Sequence, residues 1–537
     1  VAAIDKLIVT NALALRAKYG ATGWRRIRAA VGRLVEADRR RGLASKLLPI
    51  DHASAMRAVG GRAAPDPLDH RGAKDAIDAA FRAHAPAYLL VLGAPDVVPH
   101  QPIANPALAP PYDPDIVAWS DLPYACSGRY ATDIARFTGP TRVVGRLPDL
   151  RGAHRTAQAS FLVRLLDAAA RHASRPAGDY AAAFALTARV WRRSSERSLF
   201  DVFGAHRALR TSPPSGPRLS ARALSPLAHF VNCHGSEGSP EFQGQAGEGK
   251  RARYPVAMTS RGIAGKVRSG TVAAAECCYG AQIYAPELIG TDRPICQEYL
   301  AQGASGFFGS TTIAYGDDAE NDTAADLMVR LFLLHALGGD SIGHAALHAR
   351  QDFVGRRVDL DPIDLKTLAQ FVLLGDPSIR PVATRSSEAV PREPRRDRGR
   401  PHGSAHLDAL SPRAERERRR ERRAHLEAQG RFLQMTRATA THATVPVVPP
   451  ALKRILADAA KRAGMAKARF RAYAVQSPVE PGTTGNARRF AGKALGGRRY
   501  FVAMEKPRGA PGGPHAVAVV VKAVRGRVVD VRTLRQR

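Results

Sequence analysis

The segment TVAAAECCYG, residues 271–280, decides how this chain is read. It opens as an apolar run of strand length and stops at a carboxylate, two adjacent cysteines, a tyrosine and a glycine. A short continuous apolar run suits a strand covered on both faces, because neither face meets water. A second segment, LAHFVNCHG at residues 227–235, has the same form and ends in His-Gly. In open α/β sheets, ligands bind beyond the carboxyl ends of the strands. If the two segments are parallel neighbours, His234 and the Cys277-Cys278 pair share one sheet edge. The spacing of 44 residues between His234 and Cys278 leaves room for a crossover connection.

The same alternation runs through the first 380 or so residues. KLIVT (6–10), SKLLPID (45–51), AYLLVLG (87–93), TRVVGRLP (141–148), DYAAAFALTA (179–188) and ASGFFGSTTIAYG (304–316) read as strands. FVLLGDPSIR (371–380) closes the series. Residues 22–42, 72–84, 190–204, 294–303 and 319–339 carry helical spacing between them. Strands and helices alternating in this way predict a doubly wound α/β fold, a mostly parallel sheet with helices on both faces. Residues 1–384 are expected to form it, as two α/β subdomains of about 1–150 and 151–384. Residues 385–445 are Arg- and Pro-rich and read as a linker followed by a charged, solvated helix. Residues 446–537 read as a small basic α+β module, with strands at RRYFVAMEK, HAVAVVVKAV and RVVDVRTL.

At 537 residues the chain has ample length for a buried core, and 45% hydrophobic residues is ordinary for a globular protein. Its net charge of +33 is not, and residues 385–537, with 35 Lys and Arg against 12 Asp and Glu, carry +23 of it. A basic C-terminal third favours an anionic partner, although few aromatics stand among the arginines to stack on bases. The five cysteines, Cys126, Cys233, Cys277, Cys278 and Cys296, are odd in number and have no CxxC spacing. That pattern fits neither a disulfide framework nor a zinc site. No metal and no cofactor is expected. The start of the chain lacks the look of a secretory signal and no apolar run reaches membrane-spanning length. A cytoplasmic setting is therefore expected, a secreted one being the alternative if a signal was trimmed.

A histidine and a cysteine at neighbouring strand ends suit acyl transfer. The thiolate is the nucleophile, and an imidazole takes its proton and returns it to the leaving amine. The developing oxyanion needs backbone N–H donors, and Gly235 lets the chain approach a substrate closely. The order strand-His-Gly, then strand-x-Cys, resembles the caspase-like (clan CD) cysteine peptidases, and the gingipains among them most. AYLLVLGAPDVVP, SDLPYACSG, VVGRLP, HGS, the cysteine strand, GASGFFGST and FVLLGDPSIRP follow in the order of gingipain-type landmarks, over roughly residues 5–382. The resemblance implies a caspase/gingipain-like sheet and a cysteine endopeptidase acting on a protein or peptide substrate. The reaction would run through a Cys-His dyad and a thioester acyl-enzyme, with His234 and Cys278 catalytic and Gly235 at the oxyanion.

Two registers remain open. Glu-small-Cys, as in legumain-like and metacaspase-like members, makes Cys278 the nucleophile. Ala-Cys-x-x-Gly, as in many gingipain-type members, makes it Cys277. Residues two apart on a strand share a face, which places Glu276 with Cys278 and favours the first register. In relatives the residue two before the nucleophile lines the specificity pocket. Glu276 would then receive a cationic side chain, so cleavage after Arg or Lys is expected. Asp121 in SDLPY is a second candidate for the pocket. A class I amidotransferase or α/β-hydrolase is disfavoured, because those need a Gly-x-Cys/Ser-x-Gly elbow with the histidine later in the chain. The alternatives from other classes are an inactive scaffold on a peptidase fold and a basic nucleic-acid- or partner-binding protein.

Overall fold

The apolar runs assemble into one ten-stranded sheet. From edge to edge its order is Ser45–Pro49, Lys6–Thr10, Tyr88–Leu92, Val144–Leu147, Phe371–Leu374, Gly306–Ser310, Val272–Ala275, Ala228–Asn232, Ala183–Ala188 and Leu209–Ser212. This computed structural model describes residues 3–153, 159–247, 251–317, 323–383, 412–442, 448, 450–465, 468–476, 497–505 and 516–537. Every residue of Lys6–Thr10, Tyr88–Leu92, Ala228–Asn232 and Gly306–Ser310 is buried, which requires cover on both faces of the sheet. The first five strands of the order run parallel, and so do the last five. The two sets meet antiparallel, Gly306–Ser310 against Phe371–Leu374. The expectation of a mostly parallel α/β sheet therefore holds, with one reversed joint that splits it into halves. Carboxyl ends of the two halves consequently point to opposite edges of the sheet.

Helix Ala12–Arg40 begins ten residues before the start expected from its pattern. The Asn11 side chain caps it by accepting the Ala14 N–H at 2.9 Å, and Gly20 at φ +68° breaks its middle, which is why only the second part reads as helical. It packs on Ser160–Arg171, while Ala324–Leu337 packs on Ile342–Gly355 and on Arg192–Phe203. Among the described residues, no helix is long and apolar enough to cross a membrane.

The C-terminal part is built into the rest by its sheet. That sheet runs Tyr315–Asp317, Arg527–Gln536, Val517–Val524, Arg498–Glu505, Arg471–Gln476, Ala438–His442 and Asp359–Leu360. Its two outer strands come from the first 384 residues. Strand alternation then sorts its side chains. Val502, Met504, Ala518, Val520 and Leu534 join the main core, and Phe501, Ala503, Val517, Val519 and Val521 pack with Leu452 and Leu456 of helix Pro450–Arg462.

Helix Pro412–Thr436 is docked rather than solvated, a correction to its reading from charge alone. Leu426 and Leu433 are buried, Arg422 bonds Asp340 at 2.6 Å, and Gln434 donates to the Ala135 carbonyl at 2.7 Å. The Arg/Pro-rich linker at 384–411 lies outside the described residues.

Candidate functional site

Val272–Ala275 and Ala228–Asn232 are parallel neighbours, with Ala275 opposite Val231. One residue later the Glu276 N–H still bonds the Val231 carbonyl, at 2.9 Å. The chain then turns sharply. Tyr279 has φ +55°, a left-handed conformation that costs a non-glycine residue on the order of 1 kcal/mol or more. Its N–H donates to the Thr312 carbonyl at 3.0 Å and its hydroxyl to Asp115 at 2.8 Å, which hold the turn in place. Asp115 also accepts the Ile313 N–H at 2.9 Å and Lys366 at 3.0 Å, so one carboxylate ties the cysteine turn to the facing segment.

The turn separates the two cysteines. Cys277 points inward, its Sγ accepting the Cys233 N–H at 3.4 Å, and it is fully buried. Cys278 points the other way, its Sγ accepting the Ala314 N–H at 3.2 Å. Burial, the main cause, pushes the Cys278 thiol up to about 12. Gly235 lies directly against this turn. A Cβ there would overlap the Cys278 carbonyl oxygen, so the approach admits no side chain.

His234 stands between Trp191 and Tyr254, with ring centroids 4.3 and 5.3 Å away. Its Nε2 lies 2.7 Å from Gln245 Oε1. The Gln245 amide nitrogen donates to the Gly247 carbonyl at 3.1 Å, so the amide oxygen faces the ring. That partner assigns the proton to Nε2 and makes Nδ1 the basic nitrogen.

The final strand enters this site. Its last paired residues run antiparallel to Tyr315–Asp317, Gln536 opposite Tyr315 and Leu534 opposite Asp317. The Arg537 N–H donates to the Ala314 carbonyl at 3.0 Å. Its main-chain oxygen accepts from the N–H of Cys278 at 3.1 Å and of Gly235 at 3.4 Å. Its guanidinium donates to both Asp326 oxygens, at 2.9 and 3.0 Å, and to the Asp317 carbonyl at 2.6 Å, and lies 4.2 Å over the Trp191 ring. Arg537 is completely buried.

Glu276 lies in the same pocket, fully buried beside Asp326 and Arg537. Burial first, and the neighbouring Asp326 second, raise its carboxyl well above the usual range. Two carboxyls in one buried place cannot both ionise cheaply, which favours the protonated form of Glu276. Asp121 is engaged elsewhere. Its oxygens bond Arg146 at 2.6 and 2.9 Å, and Arg146 also donates to the carbonyls of Gly93 and Val98. The residues that sequence reasoning missed are Asp326, Trp191 and Gln245. Asp326 sits in the first turn of Ala324–Leu337, where an acid is ordinary, and no local signal marks it.

Of the other cysteines, Cys126, Cys233 and Cys296 are buried and unbonded to one another. His335, Asp340 and His348 bring ligand atoms within 4.8 Å of one another. Arg422 on Asp340 brings positive charge to that place and opposes a cation there.

No family model matches the sequence, and no curated protein matches it. A solved structure described as "Structure of Protease" is similar over 99% of this chain and 97% of that one, with 11% identity and a TM-score of 0.41. The functional reading rests on the site itself.

Proposed function

We propose that this chain is a cysteine endopeptidase of the caspase and gingipain type that cuts after arginine. One observation carries the reading: the N–H groups of Gly235 and Cys278 converge on a single carbonyl oxygen at the nucleophile turn. An oxyanion hole needs that arrangement.

In this mechanism Cys278 Sγ attacks the substrate carbonyl and its proton passes to His234 Nδ1. The carbonyl oxygen, now negative, stays on the two N–H donors. The C–N bond breaks, the amine leaves with the proton from His234, and a thioester remains. A water molecule gives its proton to His234, adds to the thioester carbonyl and releases the acid and the thiol. Gln245 holds the imidazole in the required tautomer. Cys277 faces the core and acts as packing.

The pocket supports arginine over lysine. Asp326 and the Asp317 carbonyl offer acceptors to a planar guanidinium, and Trp191 offers it a face to lie on. Lysine presents neither the plane nor the spread of donors. Hydrolysis of fluorogenic peptides ending in Arg, Lys, Leu or Asp tests the reading. Arg is expected to be the best, and the activity is expected to vanish in Cys278→Ala. Equal turnover of all four, or turnover that survives Cys278→Ala, would sink it.

A further inference from the structure

A cavity of about 1080 Å³ lies at the seam between helix Pro412–Thr436 and the body, where strands Tyr88–Leu92 and Val144–Leu147 begin. None of the residues of the cysteine site lines it. Its two walls carry the same charge. The helix contributes Arg418, Arg419, Arg422 and Arg423, and the body contributes Arg41, Arg142 and Arg380. Among the described residues of the lining, Glu421 is the one acid. Acids behind the walls offset part of this charge: Arg142 lies 2.5 Å from Asp78, Arg422 2.6 Å from Asp340, Arg423 3.4 Å from Glu427, Arg41 3.5 Å from Asp38 and Arg419 3.6 Å from Asp5. Three of these acids are shared with further cations, Asp78 with Lys74, Asp38 with Lys6 and Glu427 with Arg431. Other bonds of the arginines go to carbonyls. Arg41 donates to those of Ala169, Ala170 and His172 at 2.9, 2.7 and 2.8 Å, Arg419 to that of Gly42 at 2.9 Å, and Arg380 to that of Gly339. A carbonyl satisfies an N–H and leaves the positive charge whole, so the seam keeps an excess of it. His344, in the same lining, feels that excess: burial first, and the Arg422 charge next, hold its imidazole well below the ordinary value.

We propose that this cavity is a binding site for a small anion bearing several phosphate groups, and that the bound anion clamps helix Pro412–Thr436 to the body. Like charges on facing walls repel, and an anion between them turns that repulsion into attraction on both sides. The planar fork of a guanidinium meets two phosphate oxygens at once, which suits a lining built from arginine. Leu426 and the pair Arg422–Asp340 already hold the helix in place, so the cavity is formed before the anion arrives. Its volume is that of a generous small-molecule site. A nucleic-acid strand fits less well. Phe81 lies 4.3 Å under the Arg142 guanidinium and Tyr88 meets His344 edge-on at 5.3 Å, so neither ring presents an open face to a base. The site stands apart from the peptidase reading, and neither depends on the other.

The test titrates the full chain with inorganic tripolyphosphate by calorimetry, at about 0.15 M salt so that exposed charges are screened. One-to-one binding is expected, at least about tenfold tighter than that of orthophosphate, which reaches fewer arginines. Arg418→Gln and Arg380→Gln, one from each wall, are each expected to weaken it about tenfold, the scale of one charge-assisted hydrogen bond. Arg454→Gln removes the same charge from an exposed position on helix Pro450–Arg462 and is expected to leave the affinity unchanged. Equal affinity in all four proteins, or for the two phosphates, overturns the proposal. A second measurement needs no variant. In the wild type, the amides of residues 418–426 are expected to exchange with deuterium more slowly when tripolyphosphate saturates the protein. Unchanged exchange there overturns the placement of the anion at this seam. Displacement of tripolyphosphate by a short single-stranded DNA that binds more tightly overturns the small anion and makes the seam part of a nucleic-acid surface. Neither readout uses hydrolysis, so failure of the peptidase reading leaves this test intact.

Discussion

At the carboxyl ends of the first half-sheet, Lys18 bonds Asp96 and Asp149, Tyr19 donates to Asp149 at 2.6 Å, and Asp149 accepts the Ala94 N–H. At the carboxyl ends of the second half-sheet, the N–H groups of Gly235 and Cys278 meet the Arg537 main-chain oxygen, and Asp326 accepts from the Arg537 guanidinium and from the Asp317 N–H. Both crevices arise from the same topological rule. The first is closed by side chains of its own helix and loops, within 150 residues of the start. The second is closed by a residue more than 200 positions further along than Asp326. The Arg-Asp pairs repeat the contrast. Arg146, in a central strand, also bonds two backbone carbonyls beside Asp121, so that pair is part of the frame. Arg537 instead follows the last paired residue of its strand and reaches across to Asp326 and the Asp317 carbonyl.

The largest expected effect separates the two cysteines of the turn. Cys278→Ala is expected to lower hydrolysis of an arginine amide by at least about 10⁴-fold, the scale on which a nucleophile is lost. Cys277→Ala is expected to stay within a few-fold in rate and to cost about 1 kcal/mol of stability in denaturant titration. The reverse outcome would move the nucleophile to the other register.

Next come the two aspartates. Asp326→Asn is expected to cut the preference for Arg over Leu substrates by about 10²-fold, because a guanidinium would enter the pocket without its charge partner. Asp121→Asn is expected to leave that preference alone and to lose about 3–5 kcal/mol of stability, since it strands Arg146 in the core. If Asp121→Asn altered specificity instead, the contrast between frame and site would break.

Acid and base should separate the same two regions. For Asp121, burial alone would raise the carboxyl, but Arg146 and His100 outweigh it and hold the carboxyl below its usual range. Its contribution is therefore present above the unfolded carboxylate value and lost as pH falls through the folded one. Glu276 has the opposite sign. Its carboxyl is raised, so its contribution is present at low pH and lost as pH rises towards the folded value. Melting temperatures from pH 3 to 8 check both. Asp121→Asn is expected to flatten the acid limb, and Glu276→Gln to gain on the wild type at pH 8 but not at pH 4. The smallest effect belongs to Gln245→Ala, expected to lower kcat about tenfold with KM unchanged and to shift the basic limb of the pH-rate profile. An unchanged profile would detach Gln245 from the imidazole.

Much of the frame was legible because doubly buried strands are apolar along their whole length. LAHFVNCHG and TVAAAECCYG declare both the strands and where they stop. Their direction relative to FVLLGDPSIR was not legible, since an apolar run reads the same for a parallel or an antiparallel neighbour. Alternation was the sequence's argument for putting Glu276 and Cys278 on one face, but the strand ends at Ala275 and the turn after it, which no alternation describes, sets where Cys278 points. Asp326, Trp191 and Gln245 come from separate elements and look like a helix-start acid, a core aromatic and a loop amide. Only the fold brings them together. The Arg-rich helix concealed Leu426 and Leu433, two apolar residues seven apart, behind its charge. RVVDVRTL reads plainly as a strand, but nothing local tells that its end lies against Tyr315, more than 200 residues earlier.

The borrowed outer strands of the C-terminal sheet bear on how the protein behaves in solution. A strand edge with free N–H and C=O groups is a template for association with other chains. Along Arg527–Gln536 the earlier part of the outer edge carries the exposed charges of Arg527 and Asp530, which discourage such pairing. The last part is guarded by Tyr315–Asp317 instead. Where Tyr315–Asp317 pairs with residues 534–536, each strand covers the other's edge, so neither offers its main chain there to another copy of this protein.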